Sequence, residues 1–410
     1  MEMPLKKLGD VCHFVRGPFG GSLKKSCFKS NGNAVYEQQH AIYNQFNKIR
    51  YFVDDEKFEE MKRFELKSGD LIMSCSGTMG KVAIVPDGIK KGIINQALLK
   101  LTPSKDLDVK YLRYWMSSND FQESLAKYTV GAAIKNVASV KILKQIEAPL
   151  PLLEEQKQIV ALLDQAFTAI DQAKANIEKN IVNAKELFQS KLNAIFSQKG
   201  DGWKEKSIDE ISKVVNGYSF KSKDFSADNE IKSIKITNVG IMEFVEDSSN
   251  NLPLSFLQEY SKVQVHVGDL VLALTRTIIS GGLKVARVPE SYHNSLLNQR
   301  VAAIVPNLSL VNSDYLYYYF SSDIVYNYVL SNVNTLMQPN LSIKDLKRMT
   351  IPITSLEGQR KISIQIEGLS EKTNLLISNY EVKLNNIEEL KKSILQKAFS
   401  GELTQKEVVV

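Results

Sequence analysis

The chain has 410 residues, 43% of them apolar and 24% charged, which is the composition of a soluble globular protein long enough for about two to four domains with real cores. Fifty-two basic residues against 46 acidic ones leave a formal charge of +6, compatible with a polyanionic partner but no demonstration of one. A run of about eighteen apolar residues is lacking, as is the apolar core of a signal peptide, so a cytoplasmic location is expected. The three cysteines, Cys12, Cys27 and Cys75, fit no zinc motif, and their odd number argues against a disulfide framework. None of the four histidines, His13, His40, His266 and His293, stands in metal-ligand spacing.

Taken in chain order, the first element is PLKKLGDVCHFVRG (4–17), followed by short apolar runs such as DLIMSC and KVAIV, punctuated by Gly, Pro and Asn, which read as strands. A helical piece follows at 108–128. Pro149 and Pro151 then impose an extended approach, because a residue before proline avoids the helical region. From 152 to 199 there is neither Pro nor Gly, and the stretch reads as one long helix, roughly 70 Å at 1.5 Å per residue, broken at most once. Glu154 and Glu155 suit its positive N-terminal end.

The whole pattern then recurs. Gln156 falls on Gln359 at an offset of 203, and LFQSKLNAIFS (187–197) falls on LKKSILQKAFS (390–400) without a gap. LKSGDLIMSCSGTMGKVAIVP (66–86) resembles VHVGDLVLALTRTIISGGLKVARVP (265–289), IINQALLKLTP (93–103) resembles LLNQRVAAIVP (296–306), and VKYLRYWMSS (109–118) resembles SDYLYYYFSS (313–322). The unit starts match as well, 4–17 with KEKSIDEISKVVNG (204–217). Matched blocks in one order, about two hundred residues apart, mean two copies of a domain-plus-helix module. The boundaries read as a first strand-rich head at 1–151, a long helix at 152–200, a second head at 201–354 and a second long helix at 355–410. In the second copy Pro352 supplies the extended approach, Ser355 the N-cap and Glu357 the acidic first turn.

Both helices carry an apolar seam. In the first it runs Ile159, Leu163, Ala166, Ile170, Ala173, Ile177, Ile181, Ala184, Phe188, a heptad pattern with one stutter. In the second it runs Ile362, Ile366, Leu369, Thr373, Leu376, Tyr380, Leu384, Ile387 and then Lys391, so the seam largely survives in register. A helix of that length with a continuous seam needs a partner, and the other helix supplies it. The expected fold is therefore α/β: two mixed strand-helix heads joined by two long helices packed as an antiparallel coiled coil, a pseudo-two-fold internal repeat suited to a target with two half-sites.

The LPLLEEQKQIV segment, its copy ITSLEGQRKIS, the GDLIMSCSGTMGKVAIV block and the INQA turn resemble the specificity (S) subunit of type I restriction–modification enzymes, over essentially the whole chain. The resemblance implies a subunit without catalytic activity that binds double-stranded DNA through two target-recognition domains, each reading one half of a bipartite sequence. It implies that the conserved helices act as a ruler and dock two methyltransferase (M) subunits, which motor-nuclease (R) subunits can join. S-adenosylmethionine and ATP are then expected on those partners only, with no cofactor or metal on this chain.

The chemistry legible in the residues agrees. SGTMGKV (76–82) lacks the glycine spacing and the Ser or Thr after Lys81 that a phosphate-binding loop needs. An Asn/Asp-Pro-Pro-Tyr/Phe methyltransferase motif is missing. DNA reading needs forked donors and acceptors on loops, and phosphate contacts need Lys, Arg and small polar residues. The first head offers Lys24 and Lys25 in GPFGGSLKK, Gln38, Gln39 and His40 in YEQQHAIY, Ser76, Thr78 and Lys81 after the GDL strand, and Lys135 and Asn136 in VGAAIKN. The second offers Lys221 and Lys223, then Lys235, Thr237 and Asn238, then Arg276, Thr277 and Lys284, and finally Asn334, Gln338 and Asn340. These loops differ between the heads, as expected if each reads a different sequence. Asn95-Gln96 and Asn298-Gln299 do not differ, which favours a turn-tying role over base reading. YLYYYF (315–320) could be a base-stacking platform but at helical spacing reads as a packed helix face. Rival assignments are a reader serving a methyltransferase without a motor nuclease, a self-sufficient methyltransferase-nuclease, and a purely structural coiled-coil scaffold.

Overall fold

The computed structural model describes residues 3–19, 21–127, 139–198, 200, 202–247, 249–280, 282–333 and 340–403. The chain forms two compact units, 1–177 with 381–410 and 178–380, so both long helices, Leu153–Ser197 and Leu356–Ser400, contribute to each. Each helix is continuous over 45 residues, about 68 Å.

In the first unit an antiparallel sheet is ordered Cys12–Arg16, Leu98–Pro103, Leu71–Ser74, Val82–Ile84. A smaller sheet is ordered Tyr51–Val53, Asn33–Tyr36, Gly92–Ile94, the last two strands parallel. Strand Leu5–Lys7 pairs with Glu147–Pro149, clasping the start of the head to its end. The second unit repeats the plan: Ser212–Asn216, Val301–Pro306, Leu270–Ala273, Val285–Arg287 in one sheet, with Ile231–Ile234 parallel to Ser295–Leu297 in the other, and Lys204–Ser207 paired with Thr350–Ile353. Pro149 and Pro352 thus occupy two-stranded edge pairs, where a missing amide is tolerated, just ahead of each helix.

The joint between strand and helix is built the same way twice. Gln156, fully buried, donates through Nε2 to the carbonyls of Pro151 (2.9 Å) and Asp106 (3.0 Å) and accepts from the Asp108 amide (2.8 Å). Gln359 donates to Thr354 (2.8 Å) and Leu310 (3.1 Å) and accepts from Asn312 (2.8 Å). A tyrosine hydroxyl braces each clasp, Tyr111 on the carbonyl of Pro149 (2.8 Å) and Tyr315 on that of Pro352 (2.6 Å). Ser355 caps the second helix, accepting from the Gly358 amide at 3.2 Å. The tyrosine run packs as a helix face: Tyr315, Tyr319 and Phe320 are buried and Tyr317 and Tyr318 half-buried.

Within the first unit the long helices run antiparallel, since Lys174 pairs with Glu388 (2.7 Å) while Asp171 pairs with Lys391 (3.3 Å). Their seam residues Ile159, Leu163 and Ile170 join Leu395, Ala398 and Phe399 in the core of the first head, and Phe399 meets the Tyr111 ring edge-on at 5.3 Å. In the second unit Leu192, Phe196 and Ile366 share the core of the second head, with Phe196 edge-on to Tyr315 at 5.2 Å and Tyr319 at 5.1 Å. The last turn of each long helix therefore closes the head that it does not follow or precede by a strand clasp. Most of the predicted seam, including Ile177, Ile181, Leu369 and Leu384, is at least half-buried. Leu376 departs from it: 43% exposed, it yields the inward place to half-buried Ile377, because the step after Thr373 is four rather than three.

Candidate nucleic-acid interface

In each head the candidate loops leave the larger sheet along the edge formed by one set of strand ends. In the first, the register Arg16↔Leu99, Ser74↔Leu98 and Met73↔Val82 brings to that edge the loop after Arg16, which carries Lys24 and Lys25, and the loop after Ser74, which carries Ser76, Thr78 and Lys81. The turn at 95–97 lies between them, tied by Cys75 N to Ala97 O and Gly17 N to Leu98 O, both 2.9 Å. The stretch with Gln38 and Gln39 joins through Asn95 N to Tyr36 O (2.9 Å). In the second head Asn216↔Ala302, Ala273↔Val301 and Leu272↔Val285 set the same edge. Leu274 N binds Arg300 O (2.9 Å), Asn298 N binds Ile234 O (2.9 Å), and Asn340 bridges Thr275. Gly17 and Gly217 are needed here: a Cβ on either would stand 1.8 Å from the Asn95 carbonyl oxygen or 2.1 Å from that of Asn298.

Lys24, Lys25, Thr78, Lys81, Lys221, Lys223, Thr237, Arg276 and Asn340 are exposed; Gln38, Gln39 and Ser76 are half-buried. Arg276 sits at φ +50°, a left-handed conformation uncommon for a non-glycine residue. Gln39 donates to Glu37 at 3.3 Å, and the half-buried Gln38 keeps a side-chain oxygen without a partner.

Three sequence expectations are corrected by burial. His40 is fully buried, its ring between Tyr36 and Phe46, with Nε2 3.1 Å from the Lys48 carbonyl and Nδ1 2.9 Å from the Glu37 amide; it caps the short helix Gln38–Tyr43 and cannot reach DNA. Asn238, 2% exposed, accepts from the Lys235 amide (2.8 Å) and donates to the Val245 carbonyl (2.8 Å), holding its own loop. Thr277 is fully buried. Two lysines are tethered. Lys235 binds Asn250 and lies 3.7 Å over the Phe225 ring, and Lys284 donates to the Ile236 carbonyl at 2.5 Å. Burial lowers both pKa values, with Arg276 adding to the effect on Lys284. Lys135, Asn136, Asn334 and Gln338 lie outside the described residues.

The turn residues divide. Asn95 ties its turn, its Oδ1 accepting from the Ala97 amide at 3.0 Å. Gln96, Gln299 and Arg300 are exposed at the same edge, placed among the candidate loops. The sequence favours a turn-tying role for both glutamines and does not single out Arg300 or Arg16. Arg16, last residue of its strand, stands beside Cys75 with a buried guanidinium nitrogen that lacks a partner among the described residues. The SGTMGKV loop folds onto itself, the Gly80 amide on Ser74 O (2.9 Å) and the Lys81 amide on Ser74 Oγ (3.0 Å), so neither amide faces a ligand. Among the described residues no three His, Cys, Asp or Glu gather as a metal site, and no helix is long and apolar enough to cross a membrane.

The family model for the type I restriction modification DNA specificity domain matches this chain twice, at residues 2–182 and 200–388. The chain belongs to that family. It is a type I restriction–modification specificity subunit, a DNA-recognition component and not a catalytic one. It is 29% identical over 336 residues to the MjaVIII specificity subunit of Methanocaldococcus jannaschii, covering 77% of this chain and 76% of the relative, and 24% identical to the EcoBI specificity subunit of Escherichia coli, covering 76% and 69%. The fold resembles a chain in a structure of type I restriction–modification complex assembly and conformational transition (TM-score 0.73, 16% identity, 98% of both chains). It also resembles the HsdS subunit of Thermoanaerobacter tengcongensis (TM-score 0.59, 17% identity, 98% and 97%). Each match spans one head and most of the long helix that follows it.

Proposed function

We propose that this specificity subunit reads a bipartite DNA site, one half-site per head, and that the paired long helices set the gap and dock two methyltransferase subunits, which motor-nuclease subunits join. The observation that carries the reading is the double domain match laid over two heads with the same scaffold and different edge loops. Exposed Lys24, Lys25, Lys81, Lys221, Lys223 and Arg276 supply phosphate contacts, so affinity falls steeply with salt. Polar groups on the same loops supply base contacts. The chain itself takes no cofactor; S-adenosylmethionine and ATP belong to its partners, and the assembly works in the cytoplasm.

A genome-wide base-modification map, with and without this gene, tests the reading. Loss of N6-methyladenine at one two-part motif with a fixed gap supports it and gives both half-sites. Persistence of every methylated motif, in cells that express the partners, counts against it. Matched insertions in both long helices should widen the gap and leave both half-site sequences alone; an unchanged gap removes the ruler. Stoichiometric S-adenosylmethionine binding by the isolated chain would overturn the assignment of that cofactor to the partners.

A further inference from the structure

We propose that Gln96 and Gln299 are paired base readers that recognise the same base, adenine, once in each half-site. The inference rests on the DNA-reading function above. Both side chains are exposed, and neither makes a hydrogen bond among the described residues, so the head's own stability does not explain them. Their backbones are held on both sides. Asn95 is fixed by Tyr36 O and by the pressed backbone of Gly17, and Ala97 O takes the Cys75 amide. Asn298 is fixed by Ile234 O and Gly217, the Gln299 amide binds Tyr218 O (2.9 Å), and Arg300 O takes the Leu274 amide. A free side chain on a fixed backbone is preorganised for recognition at little entropic cost.

The residue type selects the ligand. A carboxamide has a donor and an acceptor side by side in one plane, matching N6 and N7 of adenine in the major groove. A phosphate offers acceptors only and would use half of it, and the neighbouring lysines serve phosphate better. The surrounding loops differ between heads, and the very next residue changes from Ala97 to exposed Arg300, yet the glutamine is kept. An element common to both half-sites accounts for that, while Arg300 gives the second head a contact the first lacks.

The test is competition binding by the full chain in complex with its methyltransferase partner. Competitors are duplexes of the mapped motif with each A·T pair replaced by G·C, and with 7-deazaadenine at each adenine, which deletes the N7 acceptor. Gln96→Ala should abolish roughly 5- to 150-fold discrimination at one A·T pair in one half-site, and Gln299→Ala at one pair in the other. The 7-deazaadenine penalty at that pair should vanish with the variant. Both substitutions are at exposed positions, and unchanged tryptophan fluorescence confirms folding. Equal weakening on all competitors would make these backbone contacts, and unchanged discrimination would remove them from the interface; either outcome overturns the proposal. A wild-type complex without sequence preference would instead sink the DNA-reading function itself.

Discussion

Phe399, in the last turn of the second long helix, belongs by sequence to the second module but by packing to the first head. It is 6% exposed, lies in the core with Leu163, Trp115 and Leu395, and meets Tyr111 at 5.3 Å and 73°. Phe399→Ala should cost about 3–5 kcal/mol, of which the edge-on ring pair accounts for ~0.5–1.5 kcal/mol. The position near a helix end lets neighbours relax inward, so the lower part of that range is expected, about 3 kcal/mol. The chain carries its own reporters: of its two tryptophans, Trp115 lies in the first head's core and Trp203 packs against the second's. Urea titration of two single-tryptophan variants, Trp203→Phe and Trp115→Phe, reads the heads separately. Phe399→Ala should move the Trp115 transition far more than the Trp203 transition, and Phe196→Ala should do the reverse. A loss under about 1 kcal/mol, or the opposite assignment of the two transitions, would refute the crossed closure of the heads.

Gln156→Ala and Gln359→Ala each strip two carbonyls and one amide of a partner at a fully buried site, and should each cost about 2–4 kcal/mol in the head concerned by the same titration. Gln156→Glu should be worse at neutral pH, since a carboxylate would face the Pro151 and Asp106 carbonyls; a neutral effect would show that the joint is open to water. Burial raises the Asp269 pKa against the opposing His266 amide and the nearby His266 and His293, so its stabilising proton is lost as pH rises from 3.8 through the folded value. Asp269→Asn should therefore gain on the wild type as pH rises toward neutrality, and a stability difference that stays flat or moves against the variant over that range would contradict this. Lys206, with the Ser207 amide and hydroxyl, holds Glu210 down to about 2, a contribution present above 4.5 and lost as pH falls toward 2; Glu210→Gln should flatten that acid limb in the Trp203 signal.

What the sequence made legible was the repeat, and with it the equivalence of Gln156 and Gln359 at an offset of 203. Their job was not legible, because it is defined in each case by one carbonyl and one amide 47 to 50 residues away in the chain, beside a carbonyl five residues away. The matching of 187–197 with 390–400 revealed two similar helix ends but not which head each end closes, since similarity carries no information about partners. The seam slipped by one residue at Leu376, where a stutter leaves two apolar neighbours competing for one inward place. Loops were identified by composition; His40 and Asn238 failed because a polar residue reads identically whether it faces water or binds its own backbone, and Thr277 failed because it is buried with its hydroxyl unpartnered among the described residues, which composition does not show.

The fixed points of both heads share one property: at each, at least one partner is main chain. Gln156 and Gln359 bind peptide groups, Tyr111 and Tyr315 bind proline carbonyls, and Gly17 and Gly217 press on the peptides of Asn95 and Asn298. A frame fastened to peptide groups places few demands on the side chains of the loops it carries. The heads use that freedom. Lys100, which binds the Glu65 carbonyl at 2.5 Å beneath the sheet, is replaced at the matching place by Ala303, and the short helix capped by His40 is replaced by a loop held by Asn238. The candidate loops can therefore change wholesale between heads while the scaffold keeps its geometry, and the proposal that Gln96 and Gln299 read a base common to both half-sites builds on that division, since both side chains stay constant yet make no hydrogen bond to the scaffold among the described residues.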